Sequence, residues 1–195
     1  MNYKGLIFDM DGTLTVPAID FISVRRELGI LEGDLVPIIE AWPAARREWA
    51  WQLIERYEDE VRSKTKLQAG VHTALVKFHQ AGIKLGILTR NSQLGVDALL
   101  EILDIEFDAI LTRDHTHIKP APEPVWEIAK SWNMAAEETL VIGDYIHDIE
   151  CGNAAGAKTC FFANPGLASY ADLADFTVSS FAELEALVFD FTCKS

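Results

Sequence analysis

The chain has 195 residues, 49% hydrophobic and 24% charged, which suits one packed domain with room for a small insertion and argues against disorder. A formal charge of −13 argues against nucleic-acid backbones and anionic membranes as partners. No apolar run approaches the ~20 residues of a membrane span.

Met1-Asn2-Tyr3-Lys4 leads straight into a strand-like segment without a signal-peptide pattern. Cys151, Cys160 and Cys193 have no metal-binding spacing and cannot all pair, so they are read as structural. A reducing cytoplasm is the expected setting.

Tyr3 to Phe8 reads as a first buried strand. From Thr15 to Lys66 the pattern is helical, with expected helices over Ile19 to Leu28, Leu35 to Trp42 and Ala44 to Lys64. Pro43 suits the first position of the third, in which Ala50, Leu53, Ile54, Tyr57 and Val61 form an amphipathic stripe. This block carries 8 basic and 10 acidic residues, so most of the negative charge lies outside it. Residues 16–66 are expected to be a helical insertion in a core made of 1–15 and 67–195.

Beyond Gly70 helices and strands alternate. Helices are expected over Val71 to Gln80, Ser92 to Leu103, Pro124 to Trp132 and Ile149 to Ala155. Strands are expected over Lys84 to Leu88, Phe107 to Leu111, Thr139 to Ile142 and Lys158 to Phe162, with an edge strand at Phe176 to Val178. Ser180-Phe181-Ala182-Glu183 opens a last helix with a capping-box pattern. The alternation predicts an α/β fold, a doubly wound parallel sheet with right-handed crossovers.

In such a sheet, ligands collect at the C-terminal ends of the strands. Asp9 and Asp11 follow the first strand, Thr89 the second and Asp144 the fourth, while Lys119 lies on the loop after the third. Two acids so close repel unless a cation intervenes, and Mg²⁺ takes one or two carboxylates plus a substrate phosphate. Each residue also has a plainer reading. Thr89 or Asp144 would serve as a helix cap, Lys119 as a solvated loop lysine, and Asp148 as a first-turn acid favoured by the helix dipole. Arg90 fits a surface or phosphate-rim position. His117 and His147 have no clear partner in the sequence.

The segments Asp9-Met10-Asp11-Gly12-Thr13, Ile87-Leu88-Thr89-Arg90-Asn91, Lys119-Pro120-Ala121-Pro122 and Gly143-Asp144-Tyr145-Ile146-His147-Asp148 resemble, in order, the four motifs of the haloacid dehalogenase superfamily. The run from Ile149 to Ala157 also resembles its phosphoglycolate phosphatase-like branch. The resemblance implies a Rossmann-like core with an inserted cap, and a phosphatase. Asp9 would be the nucleophile and Asp11 the acid and base. Thr89, Arg90 and Lys119 would hold the phosphate. Mg²⁺ would be bound by Asp9, Asp11 through its backbone carbonyl, Asp144 and Asp148.

Attack on carbon needs no acid at Asp11, so that residue favours phosphate chemistry. The insertion is short for a cap of this type, and Tyr145 stands where relatives often carry a small polar residue. Arg25, Arg26, Arg46 and Arg47, with Trp42, Trp49 and Trp51, are candidates for leaving-group contact, although surface arginines and helix-docking tryptophans are the plainer reading. The expected partner is a small phosphorylated metabolite, phosphoglycolate first, acting on a monomer or weak dimer. A phosphosugar mutase of the β-phosphoglucomutase kind, or a silent binding module, are the alternatives.

Overall fold

A computed structural model describes residues 3–192. Met1, Asn2 and the expectation for Cys193 lie outside the described residues. The chain divides into two units, one of Met1–Pro17 with Lys66–Ser195 and one of Ala18–Thr65.

The larger unit is built on six parallel strands: β1 (Gly5–Phe8), β2 (Lys84–Leu88), β3 (Ala109–Leu111), β4 (Thr139–Gly143), β5 (Lys158–Phe162) and β6 (Phe176–Val178). Their order is β3-β2-β1-β4-β5-β6, so the first strand is central and the chain winds outward on both sides of it. The α/β doubly wound expectation holds.

Side chains alternate across the sheet, as strand geometry requires. Leu6, Phe8, Leu85, Ile87, Leu140 and Ile142 point to one face. There they meet α4 (Val71–Gln80), α5 (Gln93–Leu103) and α8 (Phe181–Thr192) through Phe78, Leu99 and Phe181. Ile7, Leu88, Leu111 and Val141 point to the other, under α6 (Glu123–Ser131) and α7 (Ile146–Ala155). Each fully buried Leu, Ile or Phe contributes roughly 1.5–3 kcal/mol.

The N-terminal ends of β2 and β5 are held by the same device. Asp108 accepts from Leu85 N–H at 2.9 Å and from Lys84 Nζ at 2.5 Å. Asp175 accepts from Thr159 N–H at 3.0 Å and from Lys158 Nζ at 2.5 Å. Each aspartate thus ties the outer strand of a pair to its neighbour.

The smaller unit comprises α1 (Phe21–Leu28), α2 (Leu35–Glu40) and α3 (Ala44–Arg62). Asp20 and Asp34 cap the first two, accepting from Ser23 N–H at 3.1 Å and Val36 N–H at 3.2 Å. Val24, Leu28, Ile39, Ala50, Leu53 and Ile54 make its core. Tyr57 only packs against that core, and Val61 is half-buried.

Several boundaries differ from those expected. The first strand begins at Gly5, and β3 is only three residues long, with Asp108 just before it still donating its N–H to Leu85 O at 2.7 Å. The second helix stops at Glu40, two residues before Trp42, and Pro43 is the N-cap of α3 rather than its first residue. The expected fourth crossover helix starts at Ile146, three residues early, because Asp148 accepts from Tyr145 N–H at 3.0 Å and caps it. At α8 the Ser180 hydroxyl accepts from Glu183 N–H as a capping box requires, but the Glu183 carboxylate returns to Ser179 N–H at 2.7 Å.

Candidate active site

The loop after β1 carries Asp9, Met10, Asp11 and Gly12 out of the sheet beside the end of β4. Asp9 N–H donates to Ile142 O at 2.8 Å, so the register of the central strands places Asp9 next to Asp144. Asp9, Asp144 and Asp148 each offer a carboxylate oxygen, all within 4.8 Å of one another.

Two glycines make this approach possible. Gly12 has φ +89°, and a Cβ there would lie 2.0 Å from Asp144 Oδ2. A Cβ at Gly143 would lie 2.1 Å from Asp148 Cγ.

Lys119 is 3% exposed, and its Nζ donates to Asp9 Oδ1 and Asp148 Oδ1, each at 2.5 Å. The solvated-lysine reading is therefore wrong, and so is that of Asp148 as an exposed acid, since it is 2% exposed. The Lys119–Pro120 peptide is cis.

Burial pushes Asp9 well above the usual carboxylate range. Lys119 opposes this, and Asp148, Asp144 and Asp11 reinforce it. Asp144 is pushed up to about 7, first by burial and then by Asp148. Burial alone would lower Lys119, but Asp148 and Asp9 outweigh it and hold the ammonium above its ordinary value. One ammonium against two buried carboxylates and one half-buried carboxylate leaves an excess of negative charge, and a hard cation fits an all-oxygen set of this kind.

The Asp11 carboxylate is not part of that set. Its Oδ2 accepts from Asn91 Nδ2 at 2.7 Å. Burial raises Asp11, and the Asn91 hydrogen bond, Lys119 and Arg113 pull it back. Thr89 is buried, and its Oγ1 accepts from Asn91 N–H at 3.0 Å, shaping the turn that aims Asn91 at Asp11. Arg90 is half-buried beside it, and its carbonyl accepts from Arg113 Nη1 at 3.5 Å.

Two further polar residues complete the arrangement. Asn164 Nδ2 donates to Asp144 Oδ2 at 3.1 Å and to Gly12 O at 2.7 Å. Gln68 Nε2 donates to Gly12 O at 3.3 Å and to Asn164 Oδ1 at 2.9 Å. Asn91, Asn164 and Gln68 were not among the residues singled out in the sequence. Only Asn91 carried a signal, as the last residue of the Thr89-Arg90-Asn91 turn.

Tyr145, 46% exposed, packs edge-on against His147 and Tyr170, with ring centroids 5.1 and 5.5 Å away. His147 Nδ1 lies 3.5 Å from Glu150, and His117 is exposed. Burial pushes the Cys151 and Cys160 thiols up to about 12, consistent with structural roles.

In the helical unit, Arg46 stacks on the Trp42 ring at 3.7 Å. Arg25 Nη2 donates to Gly33 O at 2.9 Å, and Trp51 Nε1 donates to Glu40 at 2.9 Å. Trp42 and Trp51 pack on that unit's core, while Trp49 is exposed.

Comparison with known proteins identifies the family. A family model for haloacid dehalogenase-like hydrolases matches residues 38–162. A haloacid dehalogenase-like hydrolase domain-containing protein of Arabidopsis thaliana is 30% identical over 207 residues, spanning 95% of this chain and 83% of its own. Pyrophosphatase PpaX of Anoxybacillus flavithermus is 32% identical over 181 residues, spanning 82% of this chain and 83% of its own. An N-acetylmuramic acid 6-phosphate phosphatase of Pseudomonas putida is 27% identical over 187 residues and 82% of each chain. Among solved structures, a hydrolase from Pseudomonas syringae superposes with a TM-score of 0.78 at 19% identity, over 98% of this chain and all of that one.

The chain belongs to the haloacid dehalogenase-like hydrolase family. The expectation of a family enzyme on a Rossmann-like core is met. Among the described residues, no helix is long and apolar enough to cross a membrane.

Proposed function

We propose that this enzyme is a Mg²⁺-dependent phosphatase that hydrolyses a small phosphomonoester through an aspartyl-phosphate on Asp9. The observation that carries the reading is the placement of Asp9, which shares Lys119 with Asp148 while Asp11, two residues on, is held apart by Asn91.

Asp9 attacks phosphorus in line, and the bond from phosphorus to the leaving oxygen breaks as the Asp9–phosphorus bond forms. Asp11 gives its proton to that oxygen. Its raised pKa suits a proton donor, and the Asn91 hydrogen bond stabilises the carboxylate left behind. Ionised Asp11 then takes a proton from water as the water attacks phosphorus, which releases phosphate and restores Asp9.

Lys119 and Thr89, with Arg90 at the rim, hold the phosphoryl oxygens. Lysine serves there as a mobile point charge. Asp9, Asp144, Asp148 and the Asp11 carbonyl would hold Mg²⁺. When bound, it supplies the positive charge that lets a carboxylate approach a phosphate dianion.

The helical unit of residues 18–65 is the counterpart of the cap that enzymes of this family insert after the first strand. The relatives named for a pyrophosphatase and a sugar-phosphate phosphatase support phosphoryl hydrolysis. Phosphoglycolate is the first metabolite to test. Cys151 and Cys160 are free, which suits a cytoplasmic enzyme, acting as a monomer or weak dimer.

The test is phosphate release from p-nitrophenyl phosphate and a panel of phosphorylated metabolites, with Mg²⁺ and with EDTA. Release that needs Mg²⁺ and is lost in Asp9→Asn supports the reading. No release from any compound, or full activity in Asp9→Asn, contradicts it.

A further inference from the structure

The segments on either side of the helical unit pair with each other in a short antiparallel ribbon. Val16 N–H donates to Lys66 O at 2.8 Å, Gln68 N–H donates to Leu14 O at 2.9 Å, and Thr15 bridges to Leu67. Gln68 is thus fixed by its own backbone before its side chain does anything. That side chain reaches Gly12 O and Asn164 Oδ1. Because Asn164 Oδ1 accepts from Gln68, its Nδ2 is left to face two acceptors, Gly12 O and the Asp144 carboxylate. No other orientation of the Asn164 amide satisfies all three neighbours. Asp144, pressed against Gly12, is therefore set by a relay that begins on the strand returning from the helical unit.

We propose that Asn164 and Gln68 are positioning residues for the acid cluster. Asn164 orients the Asp144 carboxylate for a divalent cation, and Gln68 locks Asn164 in the orientation that does so. The relay also means that the returning ribbon and the acid cluster share one hydrogen-bond network, linking residue 68 to residue 144 through residue 164. Hydrogen bonds from outside the ligand set orient the ligands, and their loss costs typically about 10–100-fold in metal affinity. This inference rests on the reading that Asp9, Asp144 and Asp148 bind a divalent cation.

The experiment is calorimetric titration of Mg²⁺ into the wild type, Asn164→Leu, Gln68→Met and the double variant, with a melting curve for each. Both substitutions remove donors without adding charge, and Gln68→Met keeps the side-chain length, guarding against a variant that fails to fold.

Asn164→Leu is expected to weaken Mg²⁺ binding about 10–100-fold and Gln68→Met by less, since Asn164 keeps its own bond to Asp144. The double variant should lose less than the product of the two, because Gln68 acts through Asn164. Variants that melt like the wild type and bind Mg²⁺ equally well overturn the inference alone, as do losses that multiply independently. A wild type that binds no Mg²⁺ overturns it together with the metal reading.

Discussion

Asn91 donates to Asp11 across 2.7 Å, and the same residue's backbone N–H is held by Thr89. The hydrogen bond stabilises ionised Asp11 against the burial that raises its pKa. Asn91→Leu should therefore raise the Asp11 pKa further. The water-activating step needs ionised Asp11, so the acidic limb of the kcat profile should move to higher pH. At pH 7, kcat should fall about 10-fold or more, within the range of acid–base effects. An unmoved acidic limb would show that Asp11 does not limit turnover.

Gly12→Ala should disable the site while leaving the sheet intact. The new methyl group would lie 2.0 Å from Asp144 Oδ2, at a φ of +89° that alanine rarely adopts. Asp144 would have to leave the cluster. Mg²⁺ affinity should drop at least 10-fold, and destabilisation should be about 1–3 kcal/mol. Calorimetry and denaturant melts check the two parts separately.

Stability should fall with rising pH in the metal-free protein and lose that dependence when metal is bound. Asp144 is raised from 3.8 to about 7, by burial first, so the metal-free folded state binds its proton more tightly than the unfolded chain does. The resulting stabilisation is complete below pH 4 and disappears as pH rises through about 7. Metal-free protein should thus melt at progressively lower temperature from pH 5 to pH 8. Saturating Mg²⁺ binds the ionised carboxylates, displaces the proton from the folded state and should flatten that slope over the same range. Melting curves in EDTA and in Mg²⁺ read both slopes.

Asp108 and Asp175 have the contrary sign. Burial would raise each, but for Asp108 the bonds from Lys84 and Leu85 N–H prevail, and for Asp175 those from Lys158 and Thr159 N–H prevail, so both pKa values are lowered. Their contribution is present above the unfolded carboxylate pKa and is lost as pH falls through the depressed folded values. Asp108→Ala and Asp175→Ala should each cost about 1 kcal/mol at pH 7, and the loss should shrink toward pH 2. Denaturant melts at the two pH values test this. The variants should keep their Mg²⁺ affinity, because both clamps sit at the N-terminal ends of the strands.

Much of this architecture was readable because local patterns and core contacts agree. Leu6, Phe8, Ile87 and Ile142 alternate as a central parallel strand demands, and the carboxylates follow those strands directly. The partners of the acids were not readable. Asn91 and Asp11 are 80 positions apart, and Asn164 and Gly12 are 152 apart, so no local spacing links them. Helix ends failed for a related reason. The start of α7 depends on Asp148 turning back to Tyr145 N–H, a side-chain choice that periodicity does not encode. Lys119 was legible as a candidate phosphate-binding residue, but its burial was not, because that depends on Asp9 and Asp148, which only the closed sheet brings together.

The decisive measurement is acid-quenched mass spectrometry of the enzyme during turnover of a phosphomonoester in Mg²⁺. One added phosphoryl group on the peptide bearing Asp9, absent in Asp9→Asn, is the expected result. Turnover with no phosphoryl group on that peptide, or with the group on a different residue, would contradict a mechanism in which Asp9 is the nucleophile.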